Sequence, residues 1–252
     1  MPQIFVIGDS HTRALKTAVP SFDRSDMKVD FHIHWRKSIK NGVTRGDMEL
    51  SEAKKSISNL QAKDMLVISI FGTMHNIIGL IKHSQPFYTI DSKLDKCNLD
   101  GYELIPANCM QDLFYNEWEK INIISDLKSI SLAPVYHLMP PPPKEKIDCI
   151  KSKTSKYRGS GIDENNLNRS DIKLALWRLE MEALELYLND IGVKLIKPPN
   201  QSLSEHGYLK EDYYAQDATH ANAQYGLFVL NQLADILKDN ENKPHLFQGF
   251  CV

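Results

Sequence analysis

The stretch Gln3-Ile4-Phe5-Val6-Ile7-Gly8-Asp9-Ser10-His11 decides how the rest of the chain is read. Gln3–Ile7 is a short apolar run that stops at Gly8, so it predicts a buried β-strand turning sharply into a helical segment. The same pattern recurs downstream. Val29–Trp35 predicts a second strand, with Phe31, Ile33 and Trp35 alternating against His32 and His34. Met65–Phe71 is nearly all apolar, as a central strand covered on both faces should be. Ser131–Met139 and Val193–Ile196 predict a fourth and a fifth. Short apolar runs separated by longer helix-period segments are the mark of an α/β fold with a largely parallel sheet.

Two helices are legible between and after these strands. Ser170 is the expected N-cap of a helix carrying Leu174, Trp177, Met181, Leu184 and Leu188, which step by three or four and so share a face. Gly192 is placed to end it. A last helix, about Ala223–Leu237, carries Leu227, Leu230, Leu233 and Leu237 on a similar stripe. Pro140–Pro143 directly follows the fourth strand, and a run of prolines cannot continue a sheet interior. The polar segment 143–168 predicts an exposed loop or lid, and 84–106 a second irregular insertion. Both follow strand ends, where open α/β sheets place their ligands. The expectation is one domain over 1–252 with these two insertions.

Composition bounds the function classes. Among 252 residues, 42% are hydrophobic and 25% charged, the balance of an ordinary globular protein, and the formal net charge of −2 gives no field to recruit polyanions. No nucleic-acid or membrane partner is expected, although Arg36, Lys37, Lys40 and Arg45 could greet an anionic substrate. No apolar stretch approaches the roughly 18–20 residues needed to span a bilayer. Cys97, Cys109, Cys149 and Cys251 contain no C-x-x-C pair that would suggest zinc or a redox dithiol. Met1-Pro2-Gln3 runs straight into the first strand without a basic or long apolar leader, so a cytoplasmic protein with reduced thiols is expected.

The chemistry sits at the two ends. A serine at a strand-to-helix turn, as in Gly8-Asp9-Ser10-His11, presents its hydroxyl at the carboxyl edge of the sheet. A hydroxyl is a poor nucleophile at neutral pH and needs an adjacent base. Asp217-Ala218-Thr219-His220, just before the last helix, offers one: a carboxylate three residues ahead of a histidine can hold one imidazole nitrogen and leave the other for a serine. Each motif is weak alone. A serine after the first strand combined with a histidine before the last helix is far more specific.

In the order and spacing of these blocks, from Ile4 to Leu237, the chain resembles the SGNH (GDSL-like) hydrolase superfamily. The resemblance implies a three-layer α/β/α sandwich with a mostly parallel five-stranded, flavodoxin-like sheet. It implies Ser10 as nucleophile, His220 as general base and Asp217 as its orienting partner, with an oxyanion hole built on the Ser10 N–H. The second family block, often N-x4-G-D, is matched by Asn41-Gly42-Val43-Thr44-Arg45-Gly46-Asp47, which points to Gly46 as the next donor, with Gly42 in reserve. The third, usually G-x-N-D, reads Gly72-Thr73-Met74-His75-Asn76, and Met74 cannot donate. Asn76 reaching in, His75 substituting, or the loss of that donor are the alternatives, with Asn76 preferred.

The expected activity is ester hydrolysis through an acyl-enzyme on Ser10, on a small-molecule or glycan ester such as a short acyl group on a carbohydrate. Transfer of the acyl group to a sugar hydroxyl, or binding without turnover, are the rivals. A nucleotide binder is disfavoured because Gly8-Asp9-Ser10 is no glycine-rich phosphate loop. No cofactor is implied, and no metal site is assigned despite His32, His34, His11 and His75. His11 and His75 are expected to contact substrate, and Asp9 to be structural. Tyr208, Tyr213 and Tyr214 are expected either to line the site or to pack on the last helix. Oligomeric state is not encoded legibly.

Overall fold

The computed structural model describes residues 1–40, 42–89, 99–119, 122–146 and 167–242. Its centre is a five-stranded, wholly parallel sheet. In chain order the elements begin with β1 (Gln3–Gly8), α1 (Thr12–Ala18) and β2 (Asp30–Trp35), then a small antiparallel hairpin of β3 (Ser38–Lys40) and β4 (Val43–Arg45). Next come α2 (Leu50–Ile57), β5 (Met65–Ser69), α3 (Met74–Gly79), β6 (Phe87–Thr89) and β7 (Glu103–Ile105). The second half holds α4 (Ala107–Glu119), α5 (Ile123–Ser129), β8 (Val135–Leu138), α6 (Ser170–Asp190), β9 (Lys194–Ile196) and α7 (Ala223–Asn242). The main sheet runs β2-β1-β5-β8-β9, the doubly wound order that reverses direction at β1.

Period-two alternation sorts the strands' side chains into two cores. Phe5, Ile7, Leu66, Ile68 and Ile70 face one side, where α2, α4, α5 and α6 cover them through Ile57, Phe114, Leu127, Leu176 and Leu184. Ile4, Val6, Met65 and Val67 face the other, beneath Leu15 of α1 and Tyr225, Val229, Leu230 and Leu233 of α7. Near-continuous apolar strands are what a sheet buried on both faces requires. The expected α/β/α sandwich with a parallel five-stranded sheet is therefore the observed architecture.

The departures are local. β5 stops at Ser69 because Phe71 and Gly72 both take positive φ (72° and 77°), breaking the extended run two residues before its apolar pattern ends. β8 starts only at Val135, since Pro134 precedes it. Ser170 is the first helical residue of α6, and Arg169 occupies the cap. Of the expected exposed segment 143–168, Lys144 is in fact buried to 1% exposure; 147–166 lies outside the described residues, as does 90–98 of the other insertion. Cys97, Cys149 and Cys251 also lie outside them, and Cys109 is a free, exposed thiol. Among the described residues no helix is long and apolar enough to cross a membrane.

Two glycines bring the ends of the chain together. A Cβ on Gly8 would sit 2.5 Å from the Ser69 carbonyl oxygen and 2.5 Å from Thr12 Cγ2, so β1 can turn into α1 against β5 only without a side chain there. On Gly226, a Cβ would lie well inside contact distance of the Ala14 carbonyl, so α7 packs directly on the backbone of α1. That contact places the loop ahead of α7 beside the turn ahead of α1.

Candidate active site

At the carboxyl edge of the sheet, the turn after β1 is held from three directions. The Asp9 N–H donates to the Ser69 carbonyl at 2.9 Å. The Asp9 carboxylate accepts from Arg36 Nε (3.2 Å) and Nη2 (2.8 Å) and from the Phe71 N–H (3.3 Å). Asp9 thus ties the ends of β1, β2 and β5 together, the structural part expected of it. Thr12 Oγ1 and the Thr12 N–H both donate to the Asp9 carbonyl, at 2.7 and 3.1 Å, closing the turn around Ser10. Among the described residues the Ser10 N–H has no acceptor.

The loop before α7 is shaped by Asp217. Its Oδ1 accepts the backbone N–H groups of Thr219 (3.0 Å) and His220 (2.8 Å), an Asx-type turn that folds the carboxylate back toward the imidazole. His220 Nδ1 then lies 2.9 Å from Asp217 Oδ2 and 3.0 Å from Oδ1, while Nε2 lies 2.7 Å from Ser10 Oγ. Facing a carboxylate, Nδ1 is the donor, which leaves Nε2 to accept the serine hydroxyl. Asn222 Oδ1 accepts the Gln224 and Tyr225 N–H groups (3.0 and 3.1 Å), capping α7 where the loop ends. Lys144 Nζ donates to the Ala215 carbonyl at 2.7 Å and the Asp217 carbonyl at 2.5 Å and lies 4.8 Å from the Tyr214 ring centre.

Electrostatics follow from these contacts. Burial opposes ionisation of Asp217, but the hydrogen bonds from the His220 ring and from the His220 and Thr219 N–H groups outweigh it and hold its carboxyl well below the usual carboxylate range. His11 stacks on His220 with ring centres 4.7 Å apart and planes tilted by 38°. Its pKa falls to about 3, mainly through burial and then through the neighbouring charges of His220 and His75, with Asp217 opposing. A neutral His11 beside His220 adds no positive charge to the relay.

The remaining candidates divide. Gly46, at φ 95°, sits against the carbonyls of Trp35 and Arg36, where a Cβ would collide with backbone. Asp47 locks it there, with Oδ1 accepting the Trp35 N–H at 2.9 Å and its own N–H donating to the Trp35 carbonyl at 2.8 Å. Since Gly8 pairs with Trp35 in the sheet, Gly46 shares the rim with Ser10. Gly42 lies between β3 and β4, with nothing within 4 Å of a Cβ there; Asn41 lies outside the described residues. Asn76, partly buried in α3, makes no side-chain hydrogen bond among the described residues.

His75 was expected to touch substrate; it is 2% exposed and its Nδ1 lies 2.5 Å from Oε2 of Glu180, a residue of α6 with no exposure at all. Sequence reasoning missed Glu180 and Lys144. The signal for Glu180 was a carboxylate between Trp177 and Leu184 at the spacing of the apolar face. The tyrosines pack: Tyr213 stands edge-on to Phe228, Tyr208 is buried, and the Tyr214 hydroxyl accepts the Glu145 N–H at 2.9 Å. In the basic patch, Arg36 is bound to Asp9 and Lys37 lies 3.6 Å from Glu49. Among the described residues no three His, Cys, Asp or Glu side chains gather at a point that could hold a metal.

No protein-family model matches the chain, and no curated protein matches it. Solved structures that resemble it include an extracellular lipase from Streptomyces rimosus, at 10% identity and TM-score 0.49 over 93% of this chain and 100% of that one. A carbohydrate acetylesterase from Sinorhizobium meliloti matches at 10% identity and TM-score 0.44, covering 95% and 99%. The periplasmic domain of a lipopolysaccharide acetyltransferase from Salmonella ser. Paratyphi A matches at 13% identity and TM-score 0.43, covering 94% and 83%. Likeness of this order says nothing about what this chain does. Its own strand order, with a serine after β1 and a histidine–aspartate loop before α7, is the arrangement expected of an SGNH-type fold.

Proposed function

We propose that this chain is a serine esterase that cleaves a carboxylic ester through an acyl-enzyme on Ser10, with a short acyl group on a carbohydrate as the favoured substrate. The observation that carries the reading is the unbroken line from Asp217 through His220 to Ser10, with contacts of 2.9 and 2.7 Å. It is the geometry a hydroxyl needs to become a nucleophile: base within hydrogen-bond reach, and base oriented by a carboxylate.

In this mechanism Ser10 Oγ attacks the ester carbonyl as His220 Nε2 takes its proton, and Asp217 stabilises the resulting imidazolium. The backbone N–H groups of Ser10 and Gly46 hold the developing oxyanion, with a further donor from the first turn of α3, where His75 and Asn76 are neighbours. His220 returns the proton to the departing alcohol. Water, activated by the same imidazole, then releases the acid. His220 and Asp217 retain 23% and 34% side-chain exposure, which leaves a route for that water. His11, stacked on His220, is placed to border the substrate.

A fluorophosphonate probe and p-nitrophenyl acetate test the proposal together. Wild-type protein should be labelled at Ser10 and should hydrolyse the ester, and Ser10→Ala should lose both. Well-folded wild-type protein that takes no label and shows no hydrolysis would instead be a binder with a hydrolase-like pocket.

A further inference from the structure

The esterase reading leaves a second carboxylate–imidazole pair unused. Glu180 lies in the middle of α6 among Leu176, Leu179, Ala183 and Leu184, and it has no exposed surface. Its carboxylate accepts the Met74 N–H at 2.9 Å and the His75 N–H at 2.8 Å, and its Oε2 lies 2.5 Å from His75 Nδ1. The two backbone N–H groups hold both carboxylate oxygens at the first turn of α3, and the His75 ring is the remaining contact of this sealed carboxylate. A buried carboxylate is held by the donors around it, which assigns Nδ1 as the donor in that contact.

The same pair lies on the sheet edge that carries the nucleophile. The segment that carries His75 leaves β5, the neighbour of β1, and its Phe71 N–H is bonded to Asp9, the residue before Ser10. Phe71 takes a left-handed φ of 72°, costly for a bulky residue, to lead the chain across this edge. His75 is also close enough for its charge to depress the protonation of His11, whose ring stacks on His220. Met74, where a donor would be expected, turns its backbone N–H to Glu180 instead.

Resting on the esterase reading, we infer that His75, held by Glu180, is the third oxyanion donor of this site and acts through Nε2–H in place of the missing asparagine. The two pairs then have opposite tasks. As the Ser10 Oγ–carbon bond forms, the carbonyl π electrons move onto oxygen and the serine proton passes to His220. No proton leaves His75, which meets the new negative charge with a fixed N–H. Collapse of the intermediate returns the electron pair to the carbonyl and breaks the ester C–O bond. Asn76, whose side-chain amide makes no hydrogen bond among the described residues, is not needed for this.

The test compares His75→Leu, His75→Gln and Glu180→Gln with wild type, using kcat and KM on p-nitrophenyl acetate and the rate of Ser10 phosphonylation, with melting curves as a folding control. His75→Leu should lose about 10²–10³-fold in kcat and in labelling rate with little change in KM, the signature of a lost oxyanion donor. His75→Gln, which keeps an amide donor, should recover part of that. Glu180→Gln keeps the shape of the positioning residue while removing its charge, and should lower kcat without raising KM. If His75→Leu unfolds, the Gln pair still decides. Folded variants within threefold of wild type in both readouts would overturn the role of His75 and leave the esterase standing. A wild type that takes no label at Ser10 would overturn both.

Discussion

Lys144 Nζ and the Asp217 carbonyl oxygen are 2.5 Å apart, joining the proline run after β8 to the loop that carries the histidine–aspartate pair. The ammonium is buried, also donates to the Ala215 carbonyl, and faces the Tyr214 ring, while Lys173 Nζ donates to the Lys144 carbonyl at 3.2 Å. Lys144 thus acts as a strut that sets the height of Asp217 above the sheet.

Lys144→Met keeps the apolar stem and removes both charge-assisted bonds. Such bonds contribute about 1.5–3 kcal/mol each, and the orphaned carbonyls add to the cost. A loss of about 3 kcal/mol should lower the melting temperature by roughly 6–12 °C in a chain of this size. Ester hydrolysis should fall more than stability alone explains, since the Asp217 turn loses its support. Calorimetry and kcat on one preparation check this; a variant equal to wild type in both would show that the loop stands without the strut.

Asp217→Asn addresses the relay itself. The substitution keeps shape but loses the charge that faces His220 Nδ1, and kcat should drop by about 10²–10⁴-fold. The stability comparison carries a pH signature. The native carboxyl of Asp217 is held below its unfolded value, so its ionised form stabilises the fold above that value and the contribution is lost as pH falls through the lower, native one. The gap between wild type and variant in urea melts should therefore be constant from pH 8 to about 5. It should narrow only below about 4, the usual carboxylate value. A gap that closes already near pH 6 would contradict the assignment.

How much of this was legible beforehand depended on the range of the physics involved. The apolar runs at Gln3–Ile7 and Met65 and the alternation in Val29–Trp35 report local burial, so the strands, a largely parallel sheet and a central strand covered on both faces could be read from residues alone. Ser10, Asp217 and His220 were also legible, because a turn after a strand and a carboxylate three residues before a histidine are local geometries. What stayed hidden was set by long-range packing. Glu180 meets His75 across 105 residues, and Lys144 meets Asp217 across 73. A lysine after four prolines reads as exposed loop until the fold wraps around it. The spacing already favoured Gly46 over Gly42, but the packing of Gly46 against the Trp35 and Arg36 carbonyls of the β2 end is long-range and could not be read.

His137, like His11, makes the fold sensitive to acid. It is fully buried on β8, with Nε2 2.8 Å from the Ile70 carbonyl and Nδ1 sealed without a hydrogen bond of normal geometry among the described residues. Burial lowers its pKa to about 4, against partial opposition from the Ile70 and Leu138 backbone and from Asp9. A native pKa below the unfolded value means that the unfolded chain takes up the proton first as pH falls. Stability is then intact above about pH 7.5 and declines between the ordinary histidine value of about 6.5 and the native value, by about 2 kcal/mol at pH 5. His137→Gln should be less stable at pH 8 and lose less on going to pH 5. Parallel pH profiles for the two proteins would show that another group governs acid unfolding.

Gly226 tests whether the convergence of the chain ends is built by helix packing. Its Cα faces the Ala14 carbonyl, and a methyl there would overlap backbone that cannot rotate away. Elsewhere in a helix interior, glycine to alanine stabilises by roughly 0.5–1 kcal/mol, because glycine loses more conformational freedom on folding. Here the overlap must move α7 off α1, and overpacking of this kind costs about 1–3 kcal/mol. The sign of the change is thus diagnostic: Gly226→Ala should melt lower than wild type. Because α7 begins three residues after His220 and α1 two residues after Ser10, the same displacement stretches the 2.7 Å contact between them. Labelling of Ser10 by a fluorophosphonate should slow by tenfold or more in variant protein that is still fully folded. A variant that is more stable than wild type and labels at the same rate would show that the two helices do not set the distance between nucleophile and base.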